Sequence, residues 1–431
     1  MKTTVTIDPR LHDAVVFDLD GVVIDSPSIH TPNDVVPVSD STVVLVRKLA
    51  EAGIATAVHS SGRDCEEALK AAGLDDLFAV HVDGVVADAL SLPGQPDPAV
   101  LLAATNKLGT TPERTVIVEA AQAGVQAGRK GGFALVIGVD RAGHATELLD
   151  CGADVVVDDL TQVAVRHGYK RISELPNALD AYGQLIGVVA GRQPFVCLDF
   201  DGTLAEIVAE PDAAKLIDGA ATALENLAAL CPVAILSGRD LADVRDRIAI
   251  PGIWYSGSHG FELIAPDGRH QHNDAAAAVP LLESAAADLR NELGHIPGVN
   301  VEHKRYAVAV HFRNVPPERV AQVVATTHRH GRRHGLRVTG GRKLVELRPD
   351  IDWDKGTALG WLGEQIHQAG RVLPIYIGDD LTDEDAFRTL TDGGIGIVVD
   401  AGKRPTAANY ILQHPEEVQS FLRLLISWLQ R

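Results

Sequence analysis

Asp199 and Asp201 stand one residue apart in the stretch LDFDGTLAE, directly after the apolar run FVCL. Ser237 follows PVAIL, Asp379 and Asp380 follow PIYIG, and Lys355 opens the segment after LVELRPDIDW. Each group sits at or just past the end of a predicted strand, and open α/β sheets bind their ligands at the carboxyl ends of strands. Carboxylates, a hydroxyl and a lysine gathered at one sheet edge are costly unless a cation or an anionic ligand offsets their charge. A hard divalent ion with oxygen ligands, most simply Mg²⁺, would do so. A near copy of the first stretch, FDLDGVVID, lies at Phe17 to Asp25. The chain therefore carries either two such sites or one site and a relic.

The elements that must position these residues are legible in the hydrophobic pattern. In the first half AVVFDLD, IATAVHS, TVIVE, FALVIGV and GADVVVDDL read as strands. STVVLVRKLAEAG, DCEEALKAAG, PAVLLAATNKLG and AGVQAGRKGG between them read as helices. Strands alternating with helices of this length predict βαβ units and a parallel sheet. After a polar connection predicted to be helical, RISELPNALDAYGQ, the alternation restarts with FVCLDFD, DGAATALENLAAL, PVAILSG and LADVRDRI. It resumes with DKGTALGWLGEQIHQ, PIYIGDD, DEDAFRTL and IGIVVD, and an amphipathic helix, EEVQSFLRLLISWLQR, ends the chain. In between, VPLLESAAADLRNEL, NVEHK, YAVAVHFR, PERVAQVVATTHRH, LRVTG and KLVELR follow the order αββαββ, an α+β insert. The two halves form an internal repeat of one core. The predicted domains are residues 1–170, a helical linker 171–192, a second core over 193–262 and 348–431, and an insert over 263–347.

Composition narrows the class of partner. The 431 residues are 46% hydrophobic and 23% charged with a formal net charge of −19. That excess of negative charge argues against nucleic acid or an anionic membrane. An anionic substrate would need local cations against a repulsive overall field. The start, MKTTVTIDPRLHD, has no secretory pattern, and no apolar run approaches the ~20 residues of a membrane span. Cys65, Cys151, Cys197 and Cys231 are scattered without metal-binding spacing. They read as free thiols in a reducing cytoplasm. The basic run HRHGRRHGLR, His328 to Arg337, has the residues for an anion or a metal, but its place after PPERVAQVVATT reads as the solvated end of a helix.

DFDGT at Asp199–Thr203, Ser237 in LSGR, Lys355 in WDKG and GDDLTD at Gly378–Asp383 occur in an order that resembles the haloacid dehalogenase (HAD) superfamily of phosphotransferases. The resemblance implies two Rossmann-like HAD domains with parallel sheets. Within the second, it makes Asp199 the nucleophile that takes the phosphoryl group. Asp201 would be the acid that protonates the leaving oxygen and then the base that activates water. Ser237 and Lys355 would hold the phosphoryl oxygens, together with Gly202, Thr203, Gly238 and Arg239 around the phosphate. Asp199, the backbone carbonyl of Asp201, and Asp379 would hold Mg²⁺, with Asp380 and Asp383 orienting the ion and its waters. On its residue type and place alone, Asp383 equally suits a helix N-cap, as does Asp240.

The insert resembles the C2B cap of these phosphatases, a lid over the leaving group. SGSHGFEL, EHK, VELRP, WDKG and GDDLTDEDAF together resemble the trehalose-6-phosphate phosphatase family from about Arg192 onward. That resemblance implies that Glu302, Lys304 and Glu346 meet sugar hydroxyls. Strand alternation puts Glu302 and Lys304 on one face, although such a pair is also an ordinary solvated ladder. His259, in a turn after GIWYSG, either ends that strand or touches substrate.

The first half keeps Asp18, Asp20 and Ser60 and resembles the phosphoglucomutase and phosphoglycolate-phosphatase branch. Pro93 stands where that branch has a lysine, and Ala120 where it has the aspartate of an acidic pair; Glu119 remains. The stretch SPSIHTPNDVVP is too short to fold as a lid. Loss of a phosphate-holding cation and of a metal-binding carboxylate predicts a catalytically silent domain, with a docking or regulatory role. The whole chain resembles phosphatases of the mycobacterial three-domain type. Two other readings stay open. One keeps the mechanism and changes the sugar, to sucrose phosphate or mannosyl-phosphoglycerate; the other is a non-catalytic binding scaffold.

Overall fold

A computed structural model of the chain describes residues 5–24, 38–63, 65–208, 211–268, 270–272, 274–341, 343–366, 372–391, 393–399 and 404–431. SPSIHTPNDVVP, residues 26–37, lies outside the described residues. The chain divides into two compact units. The first is built on Met1–Gly168 and the second on Tyr169–Arg431, with Ile296–Gly298 and Asn314–His328 grouping with the first.

Among the described residues the first unit holds a six-stranded sheet in the order Val80–Val82, Ala55–His59, Ala14–Asp18, Thr115–Glu119, Leu135–Val139, Val155–Val157. Its paired strands are all parallel. Ala14–Asp18 and Thr115–Glu119 are buried along their whole length, as their β-branched and apolar runs require of strands covered on both faces.

The second unit repeats this plan and extends it. Its eight-stranded sheet runs His270–His272, Glu262–Ile264, Trp254–Gly257, Val233–Leu236, Gln193–Leu198, Val372–Gly378, Ile395–Val399, Tyr410–Leu412. The pairing is parallel from Trp254–Gly257 onward and antiparallel at the two strands before it. The predicted insert boundary at residue 263 thus falls inside a core strand, because the chain adds a hairpin to the sheet edge before leaving it. The insert's first α-helix, Val279–Leu293, follows.

The insert is a four-stranded antiparallel sheet in the order Asn300–Lys304, Ala307–His311, Leu344–Pro349, Leu336–Gly341. Helices Val279–Leu293 and Pro317–Arg333 accompany it, in the predicted αββαββ order. Along Leu344–Pro349 burial alternates, with Val345, Leu347 and Pro349 inside. Gly331 lets the second helix lie close: a Cβ there would come 2.4 Å from Val338 and 2.9 Å from Leu347. The opposite face of the sheet therefore carries Glu346 and Arg348.

Two expectations need correction here. RISELPNALDAYGQ, residues 171–184, is not helical throughout: it forms a short 3-10 turn at Ile172–Glu174, and only its last residues, from Tyr182, enter the α-helix Tyr182–Val189. Its residues belong to the second unit rather than to a free linker. Ala178, Leu185 and Val189 are buried in that unit's core, and the Ala178 N–H donates to the Ile411 carbonyl. The run HRHGRRHGLR does end a helix, at Arg333, but it is not simply solvated, since His330 is only 4% exposed. No helix among the described residues is long and apolar enough to cross a membrane, and Cys151, Cys197 and Cys231 are free thiols.

Candidate active site

The site of the second unit lies at the carboxyl ends of its two central strands, Gln193–Leu198 and Val372–Gly378. Asp199 is the first residue past the former, and its N–H donates to the Ile377 carbonyl of the latter. Lys355, at the start of helix Lys355–Ile366, is 2% exposed and places Nζ 3.2 Å from Asp199 and 2.7 Å from Asp383. The Tyr376 hydroxyl donates to the same Asp383 oxygen at 2.5 Å, and the Asp380 N–H donates to its other oxygen at 2.8 Å. Gly378 makes this possible, because a Cβ there would come 2.4 Å from the Asp383 carboxyl carbon.

Asp383 is therefore no helix cap. The capping position of helix Asp383–Thr389 is Thr382, and Asp383 turns inward to Lys355. Asp240 does take the cap position of Leu241–Ile248, without a capping bond; it accepts from the Ser258 hydroxyl instead.

Asp379 completes the cluster. One carboxylate oxygen each from Asp199, Asp379 and Asp383 lies within 4.8 Å of the others, and Asp379 Oδ1 is buried without a hydrogen-bond partner. Gly202, at φ +72, shapes the wall: a Cβ on it would lie 2.1 Å from Asp379 Oδ2. With one buried ammonium for three carboxylates, protons are retained. Burial pushes Asp199 up to about 7 against the pull of Lys355, with Asp383 adding to the rise. Burial and the charges of Asp199 and Asp383 push Asp379 to about 9. Burial alone would depress the Lys355 ammonium, but Asp199 and Asp383 more than offset it and hold its pKa above the usual value. An orphaned carboxylate oxygen beside two further carboxylates suits a hard divalent cation.

Two predicted residues are placed differently. The Asp201 side chain, 41% exposed, is held by Arg239 through Nε at 2.6 Å and Nη2 at 2.7 Å. Arg239 in turn reaches Asp243 and stacks over Phe200. Asp201 thus faces Arg239 rather than the carboxylate cluster, because a planar guanidinium grips a carboxylate with two bonds. Asp380 is exposed, with its carboxylate turned back to the Leu381 N–H. Ser237 is buried, and its hydroxyl accepts from the Arg239 N–H at 3.1 Å. Thr203 is buried with its hydroxyl unpartnered, and Gly238 lies under the His259 ring, which a Cβ would approach to 2.7 Å.

His259 links this site to the insert. The Arg348 guanidinium lies 3.2 Å from its Nε2. Burial, then the charges of Arg348, Lys355 and Lys304, keep the imidazole neutral, its pKa well below the usual value. Strand register puts Glu302, Ala309, Glu346 and Thr339 in one row across the insert's sheet. Glu302 pairs with Lys304 at 3.7 Å and with His311 at 3.0 Å, and Arg348 grips Glu346 at 2.5 Å. Glu302, Lys304 and Glu346 are thus gathered on one polar face whose Arg348 reaches the core's His259.

Sequence reasoning missed Tyr376, Arg348, His311 and Arg404, which pairs with buried Glu384 at 2.6 Å and donates to the Asp379 carbonyl. Tyr376 reads as an ordinary apolar position in PIYIG. The period-2 alternation of VELRP, which puts Arg348 on the face of Glu346, could have found Arg348.

The trehalose-phosphatase family model matches residues 197–416, and that for haloacid dehalogenase-like hydrolases matches residues 31–132. The chain belongs to the trehalose-phosphatase family. It is 52% identical to a trehalose-phosphate phosphatase of Mycobacterium leprae, over 98% of this chain and 97% of that one. It is 48% identical to that of Mycobacterium tuberculosis H37Rv, over 97% and 94%. The Aspergillus fumigatus trehalose-6-phosphate phosphatase structure is 26% identical, covering 59% of this chain and 99% of that one, with a TM-score of 0.48.

The first unit repeats the second unit's local geometry with its charges rearranged. Asp18 is the last residue of its strand, where Asp199 stands one past the end of its own, and Ser60 is buried and accepts from the Gly62 N–H at 3.0 Å. A Cβ on Gly21 would meet the Ala120 methyl at 2.9 Å, where Gly202 meets Asp379. Glu119 occupies the place of Gly378, and a Cβ on Gly124, the counterpart of Asp383, would strike its carboxylate at 2.0 Å. The buried carboxylate thus enters from the strand instead of the helix. Its cationic partner is His59, 2.7 Å away, where the second unit has Leu236. Burial alone would depress the His59 imidazole, but Glu119 outweighs it and raises the ring to about 9. Gln95, a neutral amide from PGQPDP, reaches Glu119 at 3.3 Å.

Proposed function

We propose that this protein hydrolyses trehalose 6-phosphate to trehalose and phosphate, through a phosphoryl group carried briefly on Asp199. The buried cluster of Lys355 with Asp199, Asp379 and Asp383 is the observation that carries the reading. Lys355 fixes one Asp199 oxygen and directs the carboxylate toward the mouth of the sheet, which favours in-line attack on phosphorus by limiting its freedom. Asp199, the Asp201 carbonyl and Asp379 would hold Mg²⁺, with Asp380 and Asp383 in support. The ion supplies the positive charge that keeps these carboxylates ionised and offsets charge on the phosphoryl oxygens.

Asp201, once it has taken up a proton from solvent, gives it to the leaving sugar oxygen and then takes one from the attacking water. To do so it must exchange its pair with Arg239, and an arriving phosphate is a natural competitor for that guanidinium. Ser237, Gly202, Thr203, Gly238 and Arg239 line the phosphate's seat. Glu302, Lys304 and Glu346 receive the sugar hydroxyls, with His259 at the junction. Hydroxyl-binding carboxylates favour a neutral sugar over an apolar or strongly anionic leaving group.

The first unit has no turnover in this reading and serves a docking or regulatory role. The free cysteines and charge balance suit a cytoplasmic protein acting on a small molecule, without nucleic acid or membrane. Asp199→Asn should abolish Mg²⁺-dependent phosphate release while leaving the melting temperature close to wild type. Near wild-type turnover in that variant would refute the nucleophile assignment. A panel including sucrose phosphate and mannosyl-phosphoglycerate tests the sugar.

A further inference from the structure

A second group of metal-ligating side chains is formed by helix Val279–Leu293 and the basic run His328–Arg337 of the insert. His330 lies in the last turn of helix Pro317–Arg333 and His334 directly follows it, its N–H still donating to the His330 carbonyl at 3.0 Å, so the i, i+4 pair projects from one face. Asp288 and Glu292 have the same spacing on helix Val279–Leu293. All four belong to the second unit. One donor atom each from Asp288, His330 and His334 lies within 4.8 Å of the others.

The hydrogen bonds prepare these donors. A carboxylate only accepts, so the 2.8 Å contact between His330 Nε2 and Glu292 places the ring proton on Nε2. In the neutral ring Nδ1 then carries the lone pair. It is buried, has no hydrogen-bond partner, and faces Asp288 Oδ2 at 3.8 Å. His334 Nε2 reaches the same oxygen at 3.0 Å. The two rings lie nearly parallel, 19° apart with centroids at 6.1 Å. A carboxylate on the far nitrogen of a ligating histidine is the usual outer partner of a metal site, and paired histidines at i, i+4 are a common helical zinc arrangement.

We propose that Asp288 Oδ2, His330 Nδ1 and His334 Nε2 bind a borderline divalent cation, with Zn²⁺ the best match to this donor set. A tetrahedral ion with bonds of about 2.0–2.1 Å holds its ligand atoms roughly 3.3 Å apart, close to the 3.0 and 3.8 Å that separate Asp288 Oδ2 from His334 Nε2 and His330 Nδ1. The ion takes the place of the proton now on His334 Nε2, which moves to the other ring nitrogen or to solvent. Arg333, also 3.9 Å from the Asp288 oxygen, is 70% exposed and free to swing into water. Three protein ligands leave one position for water, and the bound ion ties the two helices together. Mg²⁺ is a poor competitor, because imidazole nitrogen suits it badly.

The test uses EDTA-stripped full-length protein in saturating Mg²⁺, so that the oxygen-rich catalytic cluster is filled. Zn²⁺ is titrated calorimetrically, and Co²⁺ serves as an absorption probe of nitrogen ligation. One equivalent of Zn²⁺ should bind and raise the melting temperature. His334→Gln and Asp288→Asn should each weaken that binding by about 100-fold or more, and Glu292→Gln by roughly 10-fold. Turnover in Mg²⁺ alone, unchanged in these variants, reports that they are folded. Unaltered Zn²⁺ affinity in His334→Gln and Asp288→Asn, or no Zn²⁺ uptake by the wild type, overturns the assignment.

Discussion

Gly202→Ala tests whether Asp379 must hold its present place. The new methyl would start 2.1 Å from Asp379 Oδ2, 2.2 Å from the carboxyl carbon and 2.7 Å from Oδ1. Ordinary contact begins at 3.4 Å, so the carboxylate must retreat by about 1.3 Å or the turn must open. Alanine at φ +72 adds about 1–2 kcal/mol of backbone strain. A displacement of about 1 Å in a positioned group costs on the order of 10²-fold in rate. Phosphate release from trehalose 6-phosphate, followed across a Mg²⁺ series, should fall by roughly that factor with a raised Mg²⁺ requirement. Gly21→Ala in the first unit is the internal comparison. It has the same left-handed backbone, at φ +82, but its methyl meets only the Ala120 side chain, so turnover should be unchanged. Wild-type kcat and Mg²⁺ dependence in a folded Gly202→Ala protein would refute the idea that the Asp379 carboxylate is held by that close approach. Equal losses in both variants would do the same.

Lys355→Met removes the cation buried among Asp199, Asp379 and Asp383. Breaking such a pair costs about 3–5 kcal/mol, part of which protonation of the carboxylates returns. Urea unfolding should show that loss, and turnover should drop at least 10²-fold. Glu346→Ala should impair trehalose 6-phosphate far more than an aryl phosphate of similar leaving-group reactivity; equal losses on both would speak against a role in sugar recognition. In the first unit, His59 holds a proton to about pH 9 where an unfolded histidine releases it near 6.5. The folded form binds more protons in that window, so stability is full below about pH 6.5 and declines toward pH 9, by on the order of 3 kcal/mol. Asp18, also raised, acts in the same direction. Denaturant melts of wild type and Glu119→Gln across this range should differ in slope; parallel curves would dismiss the ion pair as its source.

The doubly wound plan and the insert's order were readable because their apolar runs and helical periods are strong and local. The positions of Asp199, Ser237 and Asp379 followed from strand ends, which a parallel sheet brings to one edge, and that of Lys355 from the start of the helix after the insert. What escaped was set by side-chain direction. Asp383 has the type and place of a helix cap, yet glycine at 378 opens a space into which it turns. Asp201 pairs with Arg239, and no spacing rule says which of several carboxylates a guanidinium will choose. Tyr376 is apolar in pattern and polar in use. The hairpin Glu262–Ile264 with His270–His272 was hidden because short edge strands carry little periodicity, and RISELPNALDAYGQ looked helical where only its last residues, from Tyr182, enter an α-helix.

The exchange of glycine and carboxylate between 119/124 and 378/383 bears on how the two halves diverged. A carboxylate added at 124 collides with Glu119, and one added at 378 collides with Asp383, so each intermediate holds two acids in a space made for one. Removing the resident acid first takes the nearest carboxylate from the buried His59 or Lys355, leaving Asp18 beside the one and Asp199 beside the other. The halves are thus separated by a valley that no lone substitution crosses, and reviving the first would require coordinated changes at 59, 93, 119, 120 and 124.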